Sequence, residues 1–212
     1  MRWLALFLGL VLCLAQFAFC GDIEGRVNGW QAPGPGVAHH AVVWLTDVPE
    51  STASESKFAT KPMMSQAKGK FMPPFLIVVS GQTVAMPNED DIAHNVYSNS
   101  APKKFNLGFY AKGDYRVVTF DKLGVVEVGC AIHQGMHATI FVVPNSYYAA
   151  IKEDGTFNLS NVPKGKYTLK LWGDSIGSNT REVTVSAAGK VEVALDGAPN
   201  QSDAASKPAG EN

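Results

Sequence analysis

Cysteine is scarce in this chain: three in 212 residues, at positions 13, 20 and 130. No run of apolar residues reaches the length needed to cross a bilayer, since the longest, Leu4–Leu14, stops well short of about 20 residues. Charge of neither sign dominates. With 18 Lys and Arg against 19 Asp and Glu the formal net charge is −1, and no basic stripe marks a nucleic-acid partner or an anionic membrane surface. An amphipathic helical period is missing as well, which removes helical bundles and α/β folds from consideration.

What is present begins with a leader. Arg2, the apolar run to Leu14 and a switch to small and polar residues near Gly21 read as a secretory signal peptide over residues 1–20. A cut at Cys20/Gly21 is expected, because Phe17 and Phe19 make a poor lipobox for anchoring at Cys20. The leader has no twin Arg, which predicts export as an unfolded chain and metal loading afterwards. The expected location is periplasmic or secreted, with no membrane span. Removing the leader leaves Cys130 as the one cysteine, so an intrachain disulfide is excluded although the compartment permits them. A lone thiol there is a liability unless buried or coordinated. Residues 198–212, rich in Ala, Ser, Gly and Pro, read as a disordered tail.

Between these ends the signals are β. Ile23–Val27 alternates, Ala41–Leu45 and Phe75–Val79 are apolar runs, and Thr83–Met86, Tyr115–Phe120, Val125–Val128 and Ala138–Val143 follow between turn residues. Ser51–Gly69 reads as a loop. Tyr167–Trp172, Val183–Val185 and Val191–Leu195 alternate beyond an Asp154-Gly155 turn. The prediction is an all-β chain built from sandwiches.

Chemistry concentrates in Cys130-Ala131-Ile132-His133-Gln134-Gly135-Met136, which lies between two predicted strands. A thiol, an imidazole and a thioether within seven residues, with His94 on another strand, form the two-His, one-Cys, weak-Met donor set that favours copper. Zinc fits less well, because structural zinc takes four strong Cys or His donors and no second cysteine is available. His137 starts the next strand and is expected to face solvent; it is the alternative to Met136 as a ligand. His39 and His40, in a Gly/Pro-rich turn, read as surface residues. Trp44, Trp172, Tyr147 and Tyr148 read as core or inter-domain packing.

Two resemblances add to this. Gly81 with Thr83-Val84, Pro87-Asn88, His94-Asn95-Val96, Gly124-Val125 and Cys130-x-x-His133-x-x-Met136 resemble the cupredoxins, of the short-loop plastocyanin and amicyanin type and akin to exported methylamine-utilisation-type proteins. The resemblance implies a Greek-key β-sandwich over residues 71–145. It also implies one type I copper held by His94, Cys130, His133 and Met136, no enzymatic activity, and redox-protein donors and acceptors as partners. It further implies that the Asn95 amide donates to the Cys130 sulfur; independently, a metal-bound imidazole needs its other nitrogen held, and a backbone partner is expected for that of His94. Gly135 is expected to let the backbone turn closely beside the metal. Gln134 stands where the amicyanin-like loop has Pro, which predicts a less stiff hold on His133. Met86 stands where an aromatic is frequent, and the sequence offers no account of it.

Asp154–Leu159 and Val162–Leu169, with Gly25-Arg26-Val27 and Ala41–Leu45, resemble the carboxypeptidase regulatory-like (transthyretin-like) domain. Residues 22–48 plus 146–197 are then expected to form a small β-sandwich into which the cupredoxin domain is inserted or to which it is fused. The expected function is single-electron transport by Cu(II)/Cu(I) cycling. Copper storage or delivery is the alternative, and a structural or adhesion protein with a metal used only for folding is a third reading.

Overall fold

A computed structural model describes residues 20–31, 40–49, 61–187 and 189–197. Residues 1–19 of the expected leader, the tail over 198–212 and His39 lie outside the described residues. The described chain is all-β, and it holds no helix long and apolar enough to cross a membrane.

Two strands come first, β1 (Cys20–Asn28) and β2 (Ala41–Thr46). Nine follow: β3 (Ser65–Ala67), β4 (Lys70–Met72), β5 (Phe75–Val79), β6 (Gln82–Pro87), β7 (His94–Ser98), β8 (Phe105–Tyr110), β9 (Tyr115–Phe120), β10 (Gly124–Cys130) and β11 (His137–Val143). Then come β12 (Tyr148–Ala150), β13 (Thr156–Pro163), β14 (Gly165–Gly173), β15 (Gly177–Val185) and β16 (Lys190–Asp196). The outer groups pair with each other. One sheet runs β13-β1-β16 and a second runs β12-β2-β14-β15. Between them lies a core that includes Ile23, Leu45, Phe157, Leu169, Leu171 and Leu195.

The middle nine strands form a separate sandwich. Its main sheet runs β5-β11-β10-β7-β8, and the β3–β4 and β6–β9 pairs cover it, joined by bridges Met63–Ala85 and Gln66–Asn88. Phe71, Val84, Met86 and Phe120 from the cover meet Val78, Val96, Val126 and Ile140 from the sheet in its core. Met86 is thus core filler, completely buried.

Side chains alternate across a strand, and that rule explains the unbroken apolar runs. On β2, Val43 and Leu45 enter the first core while Val42 and Trp44 face the other way; on β11, Ile140 and Val142 enter the second core while Phe141 and Val143 face outward. The outward sets meet in a third cluster between the sandwiches. Strands covered on both faces carry no polar alternation. Here the Phe141 ring lies 5.1 Å from Trp44 and 4.9 Å from Trp172, centroid to centroid, and Tyr148 borders the same cluster.

Several expectations need correction. His40 is not a surface residue: its ring stacks on Phe75 at 4.7 Å and its backbone N–H donates to Asp174 Oδ2, so it seals the edge of the inter-sandwich contact. The segment read as a loop to Gly69 contains β3, paired with β4. Strands β4, β8 and β12 also lie where no strand is expected. β8 is interrupted by Gly108 at φ 67°, and β12 has only three residues. Cys20 opens β1 opposite Pro163, so a cut after it would remove the first residue of that strand.

Candidate metal centre

Each donor is placed by main-chain bonding before any metal enters. His94 opens β7 and Cys130 closes β10, and these neighbouring strands pair with Cys130 opposite Val96. Ala131 N–H then donates to the Asn95 carbonyl at 2.9 Å, which carries the pairing one residue into the loop. Within the loop, Met136 N–H donates to His133 O at 3.0 Å and Cys130 N–H to Met136 O at 3.3 Å. The loop is therefore closed on itself and tied to β7, with His133 held between.

Three donors converge. His94 Nδ1 and His133 Nδ1 lie 3.1 Å apart, and Cys130 Sγ lies 3.6 Å from the first and 3.5 Å from the second. Bonds of about 2.0–2.3 Å to one ion hold nitrogen and sulfur donors roughly 3.3–3.7 Å apart at tetrahedral to trigonal angles. The two sulfur edges have that size, and the 3.1 Å nitrogen–nitrogen edge is slightly shorter, the spacing of two such bonds meeting at a little under the tetrahedral angle. His94 is fully buried, Cys130 nearly so, and His133 is partly exposed. Met136 is buried in the same core cluster as Cys130. His137, as expected, is exposed, and its Nε2 is turned to the Gln134 carbonyl.

The second nitrogen of His94 does not use a backbone partner. Nε2 lies 2.9 Å from Asp90 Oδ2, and an ionised carboxylate only accepts, so Nε2 carries the proton and donates. Nδ1 is left with its lone pair toward Cys130 and His133. Asp90 is itself held, accepting from the amides of Lys68 and Gly69. Those two residues are the β3–β4 turn and both have positive φ, 56° and 69°, as a type I′ hairpin loop requires. Burial pushes the Asp90 carboxyl up, but the Gly69 amide, His94 and the Lys68 amide outweigh it and hold the group below the ordinary carboxylate value.

Asn88 builds the turn that carries Asp90. Its amide Nδ2 donates to Ile92 O at 2.8 Å and Tyr110 O at 3.0 Å, and its Oδ1 accepts from Asp90 N–H at 2.9 Å. Asp90 and the Lys68-Gly69 turn are the site residues that the sequence reading missed. The one available signal was a carboxylate four residues before His94.

Two expected contacts are replaced. The Asn95 side chain makes no hydrogen bond to Cys130, whose polar neighbours are the two imidazoles; Asn95 acts through its backbone carbonyl instead. Gly135 has open space where a Cβ would sit and needs no left-handed φ, so close approach of backbone is not its reason.

Behind the centre, the Tyr110 hydroxyl faces the Gln66 side chain, and both residues are buried. Burial pushes the Tyr110 hydroxyl up to about 12. In the unfolded chain it loses its proton near pH 10. Its contribution to stability is therefore intact below pH 10 and lost as the pH climbs from 10 to 12, by about 2–3 kcal/mol. In urea titrations of the metal-free protein, Tyr110→Phe is expected to flatten this part of the alkaline decline; an unchanged slope would refute it.

Residues 143–193 match the family described as polysaccharide lyase family 4, domain II; this covers less than half of the chain and does not identify a transthyretin-like domain. No curated protein matches the sequence. Among solved structures, a Cu-containing nitrite reductase from Thermus scotoductus SA-01 is 24% identical over 41% of this chain and 23% of its own, at TM-score 0.38. An oxidised point mutant of amicyanin is 24% identical over 39% of this chain and 82% of its own, at TM-score 0.37. A purple cupredoxin from Nitrosopumilus maritimus is 23% identical over 39% of this chain and 100% of its own, at TM-score 0.36. The chain thus spans less than a quarter of the reductase, and likenesses at these scores assign it to no family.

Proposed function

We propose that this protein is an exported one-electron carrier whose centre is a type I copper that His94, Cys130 and His133 would hold, with Met136 as the weak fourth donor. The observation that carries the reading is the convergence of two imidazole nitrogens and one cysteine sulfur within 3.1–3.6 Å. Two His and one Cys with a Met at hand are soft and borderline donors, the set that selects copper over harder ions. Copper bound there supplies a Cu(II)/Cu(I) couple.

The chain's own residues do the rest. Asp90 fixes the tautomer of His94, and Cys130 sits at the end of a strand paired on both sides, which limits rearrangement on a change of charge. Four protein donors leave no position for a substrate, so an electron carrier is favoured over an oxygen-activating or hydrolytic enzyme. His133 is the partly exposed ligand, and Ala131, Ile132 and Gly135 around it are exposed, Ile132 by 50%. That rim is the proposed contact for redox-protein donors and acceptors, which bind transiently through small surfaces.

Addition of one equivalent of Cu(II) to the purified protein is expected to produce an intense visible thiolate-to-copper band that reductant bleaches and oxidant restores. A colourless complex would remove the assignment. Colour combined with very slow electron self-exchange would turn it toward storage.

A further inference from the structure

His94 is the donor with the least freedom, and the reason lies outside the ligand loop. Its ring is fully buried and both nitrogens have neighbours, Nδ1 facing Cys130 and His133 and Nε2 facing Asp90. Asp90 is only 14% exposed at its side chain. Three donors converge on its two oxygens, the amides of Lys68 and Gly69 and the ring of His94. The turn that supplies those amides belongs to the two-stranded cover of the second sandwich, whereas His94 belongs to the main sheet.

We infer that Asp90 is a positioning residue for the metal centre: held by the Lys68-Gly69 turn, it fixes His94 with its proton on Nε2 and its lone pair on Nδ1, and so sets both metal affinity and the balance between oxidation states. The first half concerns the protein alone; the second rests on the copper reading above. A neutral imidazole has two tautomers, and an unconstrained ring mixes them. The Asp90 carboxylate accepts and cannot donate, so it selects one. A carboxylate on the far nitrogen also makes the imidazole a stronger donor, and its negative charge interacts more with a doubly charged ion than with a singly charged one. The oxidised state gains more than the reduced state, so the arrangement lowers the reduction potential.

The test uses the full chain with Asp90→Asn, Asp90→Ala and, as the conservative rescue, Asp90→Glu. In the metal-free wild type, two-bond ¹H–¹⁵N correlations of the His94 ring are expected to show one tautomer with Nε2 protonated. Asp90→Ala is expected to give a mixture, and Asp90→Glu a partial return to the single form. Asp90→Asn, which keeps shape and loses charge, guards against misfolding as the cause, since its dispersed spectrum reports an intact fold. With copper added, outer partners of this kind are worth about 10- to 100-fold in affinity. A tenfold loss confined to Cu(II) is about 59 mV of potential, upward. A single Nε2-protonated form in Asp90→Ala with an unchanged potential would overturn the inference, even if stability fell. Wild-type protein that binds no copper would instead overturn the proposed function, and the metal-free tautomer readout would still decide the role of Asp90.

Discussion

Cys130→Ser is expected to abolish the visible charge-transfer band completely and to lower copper affinity by at least the roughly 100-fold seen when outer partners alone are lost. The band belongs to the sulfur, and a serine hydroxyl at the same place is a hard donor that does not ionise near neutral pH. The fold has little stake in the change. Among the described residues, the polar partners of Cys130 Sγ are His94 and His133, and a hydroxyl accepts or donates to the same nitrogens. In urea titrations the metal-free variant is expected to match the wild type within about 1 kcal/mol, the scale of one hydrogen bond. The holo forms separate sharply. An ion held at a thousand times its Kd stabilises the fold by about 4 kcal/mol, and the variant forfeits most of that at the same free copper. A variant that keeps the band would show that the colour arises elsewhere; one that unfolds without metal would make the thiol a core residue first.

The contrast between Cys130 and Asp90 shows which parts of such a site a sequence exposes. Cys130 and His133 share a seven-residue loop, and His94 stands beside a strand signal, so residue type and spacing bring them forward. Asp90 lies in the acidic run Glu89-Asp90-Asp91, where nothing in its residue type sets it apart from its neighbours. Its meaning comes from Lys68 and Gly69, some twenty residues earlier in a segment that reads as a loop. Nothing local in the chain marks that contact, because the pairing is set by a two-residue turn with both φ angles positive. Asn95 fails in the opposite way. Its residue type invites a side-chain role, and the fold uses only its carbonyl, which any residue has.

The same division holds for the architecture. Periodicity located the long strands, whereas β8 and β12 are an interrupted strand and a three-residue strand. The apolar runs at Ala41–Leu45 and Ala138–Val143 were legible as buried strands. That they are buried on two faces by different partners was not, since an unbroken run says only that neither face is wet.

This double burial makes Phe141 the most informative residue of the protein's second contact. Phe141→Ala is expected to cost about 3–5 kcal/mol, the range for truncating a buried Phe, because the ring is 4% exposed and touches Trp44 and Trp172 of the other sandwich. Its backbone pairing with Val125 and Ile77 is unaffected by the truncation. The loss therefore falls on the contact between sandwiches and not on either core. In urea, with tryptophan fluorescence read beside far-ultraviolet dichroism, the wild type is expected to unfold in one transition and the variant in two. Trp30, Trp44 and Trp172, the tryptophans among the described residues, all belong to the first sandwich, and Trp44 and Trp172 face the contact, so fluorescence reports the first sandwich and that contact. Ile140→Ala is the matched comparison, one residue away on the same strand and facing the second core. It is expected to cost about 2–5 kcal/mol and to lower the second sandwich without freeing the fluorescence change from it. The copper band should survive in Phe141→Ala, since the ring faces away from the core that holds Cys130 and Met136. A single transition in Phe141→Ala with less than about 1 kcal/mol lost would show that the two sandwiches are joined through their strand connections, with the aromatic cluster adding little. Two transitions would place the coupling in three rings contributed by β2, β11 and β14.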